Sequence, residues 1–318
     1  MNQEMKYTIG LDLGGTNSVF GIVDAEGNIV EQTSIKTQGF RSADDYLAAC
    51  MQALQPIIDK VGGISTIKSM GIGAPNGNII SGCIEFAPNI EWAHDGKVPL
   101  ADMFSQALGG LHVSLTNDAN AAAIGEMTFG AARGMKDFIV LTLGTGVGSG
   151  IVCGGKLLYG HDGNAGELGH VTVERDGRQC GCGRRGCLEA YCSATGVART
   201  ARQFLEESAE PSQLRSIEPS AITSYDVYKA ATSGDALAQR IFQYTGEIMG
   251  RACADMAVFS SPEAFIFFGG LAKSGELLMK PIREAYEANV MPAFKGKAQF
   301  LASPLEGAGA AVLGAASL

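Results

Sequence analysis

The feature that most constrains the fold of this chain is a strand, a glycine turn and a second strand, an arrangement that occurs twice. Residues 7–13 predict a short apolar strand, which ends at Gly14-Gly15-Thr16 before a strand-like run at 18–23. Residues 138–143 predict another apolar strand, which ends at Gly144-Thr145-Gly146. The two segments resemble each other in layout more than in identity. They predict two similar α/β halves, each with a glycine turn after its first strand.

Helical and strand-like patterns alternate along the rest of the chain, which is typical of an α/β fold. Apolar periodicity predicts helices at 43–61, 119–129, 221–256 and 277–290, and strands at 29–33, 67–72, 113–116, 150–153, 157–159 and 264–268. Residues 205–223, rich in Glu, Ser and Pro, predict an exposed connection. We expect a small N-terminal lobe at 1–117, completed by an Ala-rich C-terminal helix within 303–318, and a larger lobe at 118–302.

Length and charge narrow the function classes. A chain of 318 residues is long enough for two domains, each able to bury its own core. The formal net charge of −9 and the lack of a Lys/Arg run argue against binding to nucleic acid. The first residues lack the pattern of a signal peptide, and no apolar run is long enough to span a bilayer. We expect a cytoplasmic protein that binds neither nucleic acid nor membranes.

The first glycine turn has the composition of a nucleotide site. Asp12 places a carboxylate at a strand end, and the turn Gly14-Gly15-Thr16 supplies backbone amides that can approach a phosphate, together with a hydroxyl donor. The alternative is an ordinary tight turn, because glycine turns after strands are common. The recurrence of such a turn at Gly144-Thr145-Gly146 favours nucleotide binding at both places.

Asn117 and Asp118 lie between a predicted strand and a predicted helix. Functional groups of α/β folds often lie there, outside the carboxyl end of a strand. A simpler interpretation is a helix N-cap, because Asn and Asp are preferred caps. Since phosphoryl transfer needs a positioned base and two phosphate-binding turns are predicted, we assign Asp118 as the group that takes the proton of an attacking hydroxyl.

A complete set of zinc ligands lies within residues 170–187. His170, Cys180, Cys182 and Cys187 supply one imidazole and three thiols, which form a tetrahedral Cys₃His set. Because protein would occupy all four positions, the predicted zinc is structural and stiffens a glycine-rich loop. The alternative is a loop of reduced cysteines without metal. We interpret four further cysteines as buried small hydrophobic residues, namely Cys50, Cys83, Cys153 and Cys253.

Glu167 and Glu189 bracket this loop, so a loop stiffened by zinc would hold two carboxylates in place. Such carboxylates can accept hydrogen bonds from sugar hydroxyls. Exposed carboxylates are usually only solvated, and without the neighbouring metal site neither residue would be assigned a role.

Five motifs resemble those of the ROK family of sugar kinases and sugar-responsive repressors, over essentially the whole chain. They are DLGGT at 12–16, TNDANAAA at 116–123, LGTGVGSGI at 143–151, GELGH at 166–170 and CGCGRRGCLEAY at 180–191. The last motif is the most specific. The resemblance implies an actin-like ATPase fold of the hexokinase and ribonuclease H type, whose two lobes close over sugar and ATP. Closure would exclude water, which would otherwise accept the phosphate.

The same resemblance implies which residues bind the substrates. The sugar would be held by residues at matching motif positions, namely Asn117, Asp118, Glu167, His170 and Glu189. Asn89 is at a further sugar-contacting position, although a simple turn is an equal alternative there. ATP would be bound with Mg²⁺ at the two glycine turns. Gly269-Gly270 resembles the turn on the adenosine side, for which ordinary punctuation between strand and helix is the alternative.

One departure from the family pattern is Asn17, where many relatives have a lysine directly after the threonine. This difference weakens the expectation of a phosphate contact at residue 17. The resemblance also implies a homodimer or a higher homo-oligomer.

The motifs together predict an ATP-dependent kinase that phosphorylates the 6-hydroxyl of an aldohexose. The CGCG spelling of the zinc loop resembles kinases of glucose and of N-acetylhexosamines more than fructokinases. Glucose is therefore the first choice, and N-acetylmannosamine, N-acetylglucosamine, mannose and allose stay open. A non-catalytic sugar-sensing regulator is the alternative from another class, but a first motif at Asp12 leaves no room for a preceding helix-turn-helix. An ATPase without a sugar substrate is disfavoured by the zinc loop.

Overall fold

The chain folds into two units, and the computed structural model describes residues 5–305 and 307–318. Unit 1 contains the described residues up to Gly134 together with Leu157–Ala165 and Pro304–Leu318. Unit 2 contains Met135–Lys156 and Gly166–Ser303. Both units are therefore discontinuous in sequence. Within the described residues, no helix combines the length and the apolar character that crossing a membrane requires.

The elements of the described residues are numbered in chain order. The strands are β1 (Tyr7–Leu13), β2 (Asn17–Val23), β3 (Ile29–Lys36), β4 (Ile67–Ala74), β5 (Gly77–Asn78), β6 (Cys83–Glu85), β7 (Lys97–Val98), β8 (Val113–Asn117), β9 (Phe138–Leu143), β10 (Val147–Cys153), β11 (Lys156–Leu157), β12 (Ala264–Phe268) and β13 (Gln299–Ala302). The α-helices are α1 (Ala43–Lys60), α2 (Leu100–Ala107), α3 (Asp118–Thr128), α4 (Glu189–Cys192), α5 (Ala194–Glu207), α6 (Ser224–Thr232), α7 (Ala236–Ser260), α8 (Glu276–Asn289) and α9 (Gly307–Ala316).

Unit 1 is built on a five-stranded sheet in the order β3-β2-β1-β4-β8. The strands β1, β2 and β3 pair antiparallel, whereas β4 runs parallel to both β1 and β8. In this register Asp12 lies opposite Gly73, and the next residue of β4, Ala74, lies opposite Asn117. Asp12 and Asn117 therefore lie at the same edge of the sheet, one strand apart, where the parallel strands end.

Unit 2 repeats this plan with the sheet β11-β10-β9-β12-β13. The strands β9 and β10 pair antiparallel across the second glycine turn, with Leu143 opposite Val147. The strand β12 runs parallel to both β9 and β13, and Phe268 lies opposite Thr142. The turns after β9 and β12 therefore lie at neighbouring strand ends. The predicted repeat of strand, glycine turn and strand is confirmed in both sheets.

The C-terminal helix α9 packs on unit 1 almost without intervening side chains. A Cβ atom on Gly71 of β4 would lie 1.8 Å from the carbonyl oxygen of Ala315, and one on Gly10 of β1 would lie 2.1 Å from that of Val312. On the helix itself, a Cβ on Gly314 would lie 2.2 Å from the carbonyl oxygen of Ala121 in α3. Glycine at these positions is required because backbone packs directly against backbone.

Some boundaries differ from those predicted. The helical pattern at 221–256 corresponds to two helices, because Gly234 has φ +91° and Asp235 accepts a hydrogen bond from the Ala238 amide at 3.0 Å, which caps α7. The connection at 205–223 is not wholly exposed, since Leu214 is buried. The strand expected at 157–159 pairs only over Lys156–Leu157.

The division into units also differs from the predicted boundary after residue 117. Helix α3 begins at Asp118 and belongs to unit 1, where it packs against β4 and α9. The segment Pro304–Leu318 belongs to the same unit. The helix that carries Asp118 is thus part of the same packed body as the first glycine turn.

Candidate active site

The first glycine turn is a compact loop between β1 and β2. The Gly14 amide donates to the Asn17 carbonyl at 3.0 Å, and the Thr37 hydroxyl donates to the Gly14 carbonyl at 2.7 Å. The Asn17 side chain accepts a hydrogen bond from the Lys36 ammonium at 3.0 Å, since the two residues are paired across β2 and β3. An ammonium group therefore lies beside the turn although residue 17 itself is not a lysine.

Asn117 and Asp118 both bind the first turn of α3. The Ala119 amide donates to Oδ1 of Asn117 at 2.9 Å and to Oδ1 of Asp118 at 2.8 Å. Asn117 has extended backbone angles and is the N-cap. The capping interpretation is therefore correct for Asn117. It does not exclude a chemical role for Asp118, whose second carboxylate oxygen is not needed for the cap.

Asp12 and Asp118 form a carboxylate pair at the edge of the unit 1 sheet. Burial and the neighbouring Asp118 carboxylate raise the pKa of Asp12 from 3.8 to about 7. Desolvation by the surrounding protein also raises the pKa of Asp118, although the hydrogen bond from the Ala119 amide lowers it. Part of the surface of Asp118 is exposed to solvent. Two such carboxylates suit a site that takes up a proton or a cation.

The second glycine turn is held by the start of α5. The Gly144 amide donates to the Gly146 carbonyl at 3.0 Å, and the Ala194 amide donates to the Gly144 carbonyl at 2.9 Å. The Thr195 hydroxyl donates to the Thr145 carbonyl at 2.9 Å. The turn is therefore fixed against a helix N-terminus, where the helix dipole favours an anion.

A cavity of about 460 Å³ in unit 2 adjoins this turn. Gly144, Thr145 and Gly270, which were predicted to bind nucleotide, line it together. The other lining residues are Leu143, Ala194, Ser224, Tyr225, Tyr228, Leu271, Lys273 and Ser274. The size suits a small ligand, and two aromatic rings beside a glycine turn suit a nucleoside.

The sequence prediction missed the residues of α6 in this cavity. Tyr225 is 64% exposed, and its ring stacks on Tyr228 with centroids 6.3 Å apart. The signal available in the sequence was the pair of tyrosines near the start of the helical pattern at 221–256. Gly269 is not a lining residue. It has φ +103°, and a Cβ there would lie 2.7 Å from the Leu143 carbonyl oxygen, so it serves close packing between strand ends.

The predicted zinc ligands come together in unit 2. The ligand atoms of His170, Cys180, Cys182 and Cys187 all lie within 4.8 Å of one another. Nδ1 of His170 is 3.6 Å from Sγ of Cys180, and Sγ of Cys182 is 3.7 Å from Sγ of Cys187. With metal–ligand bonds of about 2.0–2.3 Å, tetrahedral sites place their ligand atoms at such separations. The donor set and its spacing therefore fit a four-coordinate zinc ion.

The loop between the cysteines is folded by its glycines and by Arg184. The Gly183 amide donates to the Cys180 carbonyl at 3.1 Å, and a Cβ on Gly186 would lie 1.7 Å from the Glu174 carbonyl oxygen. The Arg184 guanidinium donates to the His170 carbonyl at 3.1 Å. These contacts bring the four ligands, which lie between residues 170 and 187, to one point.

Glu189 links the ligand cluster to the second glycine turn. Its Oε1 is 3.4 Å from Sγ of Cys180, and its Oε2 accepts a hydrogen bond from the Val147 amide at 3.1 Å. A Cβ on Gly146 would lie 2.4 Å from Oε2, so a side chain at residue 146 would displace the carboxylate. Glu167 precedes the short 3₁₀ helix Leu168–His170, and the His170 amide donates to its carbonyl at 3.0 Å.

Asn89 is exposed on a segment of unit 1 that contacts the first glycine turn. Its carbonyl accepts a hydrogen bond from Gln38 at 2.6 Å, and the same Gln38 amide binds the Gly15 carbonyl at 2.6 Å. Sequence reasoning assigned no role to Gln38, because a glutamine after a strand carries no motif.

Two of the other cysteines contradict their predicted burial. Cys50 and Cys253 are buried, whereas Cys153 is exposed at the end of β10 and Cys83 is half-buried in β6. Cys153 directly precedes the turn at Gly154-Gly155, and side chains at strand ends beside turns reach solvent. The prediction for Cys83 and Cys153 was therefore wrong.

Comparison with known proteins gives the family. A glucokinase from Thermotoga maritima is 38% identical over 318 residues, covering 98% of this chain and 96% of the relative. A ROK family glucokinase from Streptomyces griseus, solved in complex with glucose and AMPPNP, is 37% identical with a TM-score of 0.79 and 98% coverage of both chains. An N-acetylmannosamine kinase from Shigella boydii is 30% identical over 281 residues, covering 86% of this chain and 87% of the relative.

The actin-like α/β architecture expected from the motifs is shared with this glucokinase structure and with a ROK hexokinase from Thermus thermophilus, which is 29% identical with a TM-score of 0.82. The sequence profile described as the ROK family matches residues 8–318, nearly the whole chain. On this match, together with the strand repeat and the Cys₃His cluster, the chain belongs to the ROK family.

Proposed function

We propose that this protein is an ATP-dependent hexose kinase that transfers the γ-phosphate of ATP to the 6-hydroxyl of an aldohexose, with glucose as the preferred sugar. The observation that carries the proposal is the position of Asp118. It lies at the end of a parallel strand and the start of a helix, beside Asp12 of the phosphate turn, and both carboxyls have raised pKa values. A base whose pKa is moved toward neutrality suits proton transfer at physiological pH.

In the proposed reaction Asp118 accepts the proton of the sugar 6-hydroxyl as the oxygen attacks the γ-phosphorus of ATP. The new bond joins O6 to phosphorus, the bond from phosphorus to the β–γ bridging oxygen breaks, and ADP leaves. Hydrogen bonding of Asp118 to the Ala119 amide fixes one carboxylate oxygen and leaves the other for the sugar. Positioning and charge stabilisation supply most of the rate in such transfers.

The nucleotide is proposed to bind at the two glycine turns and at the cavity of unit 2. The amides of Gly14 and Gly144 close their own turns, so the amides that follow them, at 15–16 and 145–146, are the ones assigned to the phosphates. Tyr225 and Tyr228 of the cavity are assigned to the nucleoside. Asp12 would provide the carboxylate for the metal that accompanies ATP. Mg²⁺, when bound, would neutralise the charge of the β- and γ-phosphates.

The sugar is proposed to be bound by Asn89, Asn117, Asp118, Glu167, His170 and Glu189. Nδ1 of His170 is the nitrogen beside Cys180, so Nε2 is the one assigned to a sugar hydroxyl. A zinc ion held by His170 and the three cysteines would fix that imidazole and the neighbouring Glu189 without taking part in the chemistry.

We propose glucose as the substrate because relatives with 36–38% identity over nearly the whole chain are glucokinases. The N-acetylmannosamine kinase at 30% identity favours N-acetylhexosamines as the second choice. The family resemblance also supports a cytoplasmic protein that forms a homodimer or a higher homo-oligomer. Light scattering would test the oligomeric state.

A panel of sugars tests the function. ADP release is measured with ATP and Mg²⁺ in the presence of glucose, mannose, fructose, allose, N-acetylglucosamine or N-acetylmannosamine. The matched control sugar is 6-deoxyglucose, which keeps the ring hydroxyls and lacks the acceptor. We expect glucose to give the highest kcat/KM, 6-deoxyglucose to compete without reacting, and the product to carry phosphorus on O6 in its ³¹P–¹H NMR spectrum.

The other results are equally informative. Preference for an N-acetylhexosamine would keep the mechanism and change the substrate. If the protein bound a sugar but no sugar of the panel stimulated ADP release from ATP, the proposed function would be a sugar-sensing regulator in place of a kinase.

A further inference from the structure

The segment that follows β3 joins the first glycine turn to the segment that carries Asn89. The Thr37 amide donates to the Thr16 carbonyl at 3.0 Å, and its hydroxyl donates to the Gly14 carbonyl at 2.7 Å. On its other side, the Trp92 indole donates to the Thr37 carbonyl at 2.8 Å. One residue of this segment therefore contacts both loops through its backbone and its hydroxyl.

Gln38 makes the same connection with its side chain. Its Nε2 donates to the Gly15 carbonyl at 2.6 Å and to the Asn89 carbonyl at 2.6 Å, while its Oε1 accepts from the Glu91 amide at 3.2 Å. Both N–H groups and the carbonyl of one amide are thus used by backbone groups of two loops. Two carbonyl acceptors and one N–H donor fix the orientation of the amide, because the reversed amide would face them with the wrong atoms.

The residue before Gln38 is buried and hydrogen-bonded. Thr37 is fully buried, its hydroxyl is 2.9 Å from that of Ser18, and the Ser18 hydroxyl is 2.8 Å from that of Tyr46. The Tyr46 ring stacks on Trp92 with centroids 4.3 Å apart. These contacts anchor the backbone next to Gln38, so its side chain can pass a change in one loop to the other.

We propose that Gln38 is a positioning residue that couples sugar binding at Asn89 to phosphate binding at Gly15. The inference rests on the proposed function, because it takes Asn89 as a sugar contact and Gly15 as a phosphate contact. Sugar that orders the Asn89 segment also orders the Gly15 turn through the shared amide, so each substrate raises the affinity for the other. Such coupling is reciprocal and commonly amounts to about 5–150-fold in affinity.

The test measures glucose affinity with and without saturating AMPPNP and Mg²⁺, in the wild type and in Gln38→Met. Methionine keeps the length of the side chain and removes all three hydrogen bonds. Trp92 is the single tryptophan of the chain and lies in this network, so its fluorescence reports binding directly. Gln55→Met is the matched control, since Gln55 is an exposed glutamine of unit 1 whose side chain donates to Asp59 of its own helix.

We expect AMPPNP to raise the glucose affinity of the wild type and of Gln55→Met by about fivefold or more. In Gln38→Met that ratio should fall toward one, with kcat reduced by about tenfold or more and the melting temperature close to that of the wild type. Gln38→Glu should show the same loss, because its carboxylate faces two carbonyl oxygens.

The proposal is overturned if Gln38→Met retains the wild-type ratio, if the wild type itself shows no coupling, or if Gln55→Met loses coupling equally. A fall in kcat matched by a fall in the folded fraction would also overturn it. The ratio is a binding measurement, so it tests Gln38 even if no sugar is phosphorylated, which would count against the proposed function alone.

Discussion

At the scale of single residues, Asp118 has both a structural and a proposed chemical task. Its Oδ1 accepts a hydrogen bond from the Ala119 amide at the start of α3, which an asparagine at the same position could also accept. Ionisation of the carboxylate is needed only for proton transfer. The two tasks can therefore be separated by one substitution.

We expect Asp118→Asn to lower kcat by about 10²–10⁴-fold while glucose affinity changes only a few-fold. The reason is that the amide keeps the helix contact and the size of the side chain but cannot accept a proton. Steady-state kinetics and equilibrium binding measure the two effects. Asp102→Asn, at an exposed position of α2, is the control and should leave both unchanged. Weak glucose binding with normal kcat at saturation would argue against Asp118 as the base.

Asp12 should make the metal-free protein sensitive to pH. Its folded-state pKa of about 7 exceeds the ordinary value of 3.8, so the folded state holds a proton that the unfolded state has lost between these pH values. The free energy of unfolding must therefore fall as pH rises through this range. The asparagine of Asp12→Asn cannot ionise, so the variant should gain stability over the wild type as pH rises.

Melting temperatures at pH 5 and pH 8 without Mg²⁺ measure this effect. We expect the difference between Asp12→Asn and the wild type to be larger at pH 8, and Mg²⁺ with nucleotide to reduce it by binding the ionised carboxylate. An equal difference at both pH values would show that Asp12 is not protonated near neutrality.

At the scale of the elements, the loop 170–187 depends on contacts between residues that are distant in sequence. Its ligands meet because Gly183 and Gly186 allow tight backbone approaches and because Arg184 donates to the His170 carbonyl. The same loop places Glu189 against the Val147 amide beside the second glycine turn. Loss of the proposed zinc should therefore also affect the proposed sugar site.

Cys182→Ser should reduce bound zinc from one equivalent per chain to well below one and raise the KM for glucose by about 10–100-fold, because His170 and Glu189 lose their fixed positions. Elemental analysis and kinetics measure both. Cys153→Ser is the matched control, since Cys153 is exposed and lies outside the cluster. Retention of a full zinc equivalent in Cys182→Ser, or its loss in Cys153→Ser, would contradict this assignment.

At the scale of the whole molecule, unit 1 is completed by the far end of the chain. Helix α9 contacts β1, β4 and α3, and glycines permit these contacts at both ends of the sequence. Folding of unit 1 must therefore bring together residues about 300 positions apart. Contacts between residues so distant in sequence form slowly.

We expect Gly71→Ala to destabilise unit 1 by about 3 kcal/mol, because its Cβ would lie 1.8 Å from the Ala315 carbonyl oxygen. Urea unfolding followed by Trp92 fluorescence measures this, since Trp92 belongs to unit 1. Gly96→Ala is the control, as a Cβ there meets no atom within 4 Å. Equal stabilities of the two variants would mean that α9 is not seated as described.

The sequence by itself determined the strand and turn at each half, helices α1, α3 and α8, and the grouping of the four residues predicted to bind zinc, but it joined α6 and α7 into one helix. Local periodicity and glycine turns predicted both ends of β1, β9 and β12 correctly. Four residues that can bind zinc within a segment of 18 residues have few alternatives to a metal site. The position of Asp118 between a strand and a helix was also predicted correctly, and its role as the base stays a prediction.

Only the tertiary structure decided which distant residues work together. The pairing of Asp12 with Asp118 follows from sheet register, the cavity residue Tyr225 is brought beside Gly144 by the packing of α6, and the Gln38 amide joins two loops that are 74 positions apart. Helix α3, which begins at Asp118, packs against α9 and belongs to unit 1. Such contacts depend on the summed packing of many elements, whereas local patterns report only on neighbours within a turn or a strand.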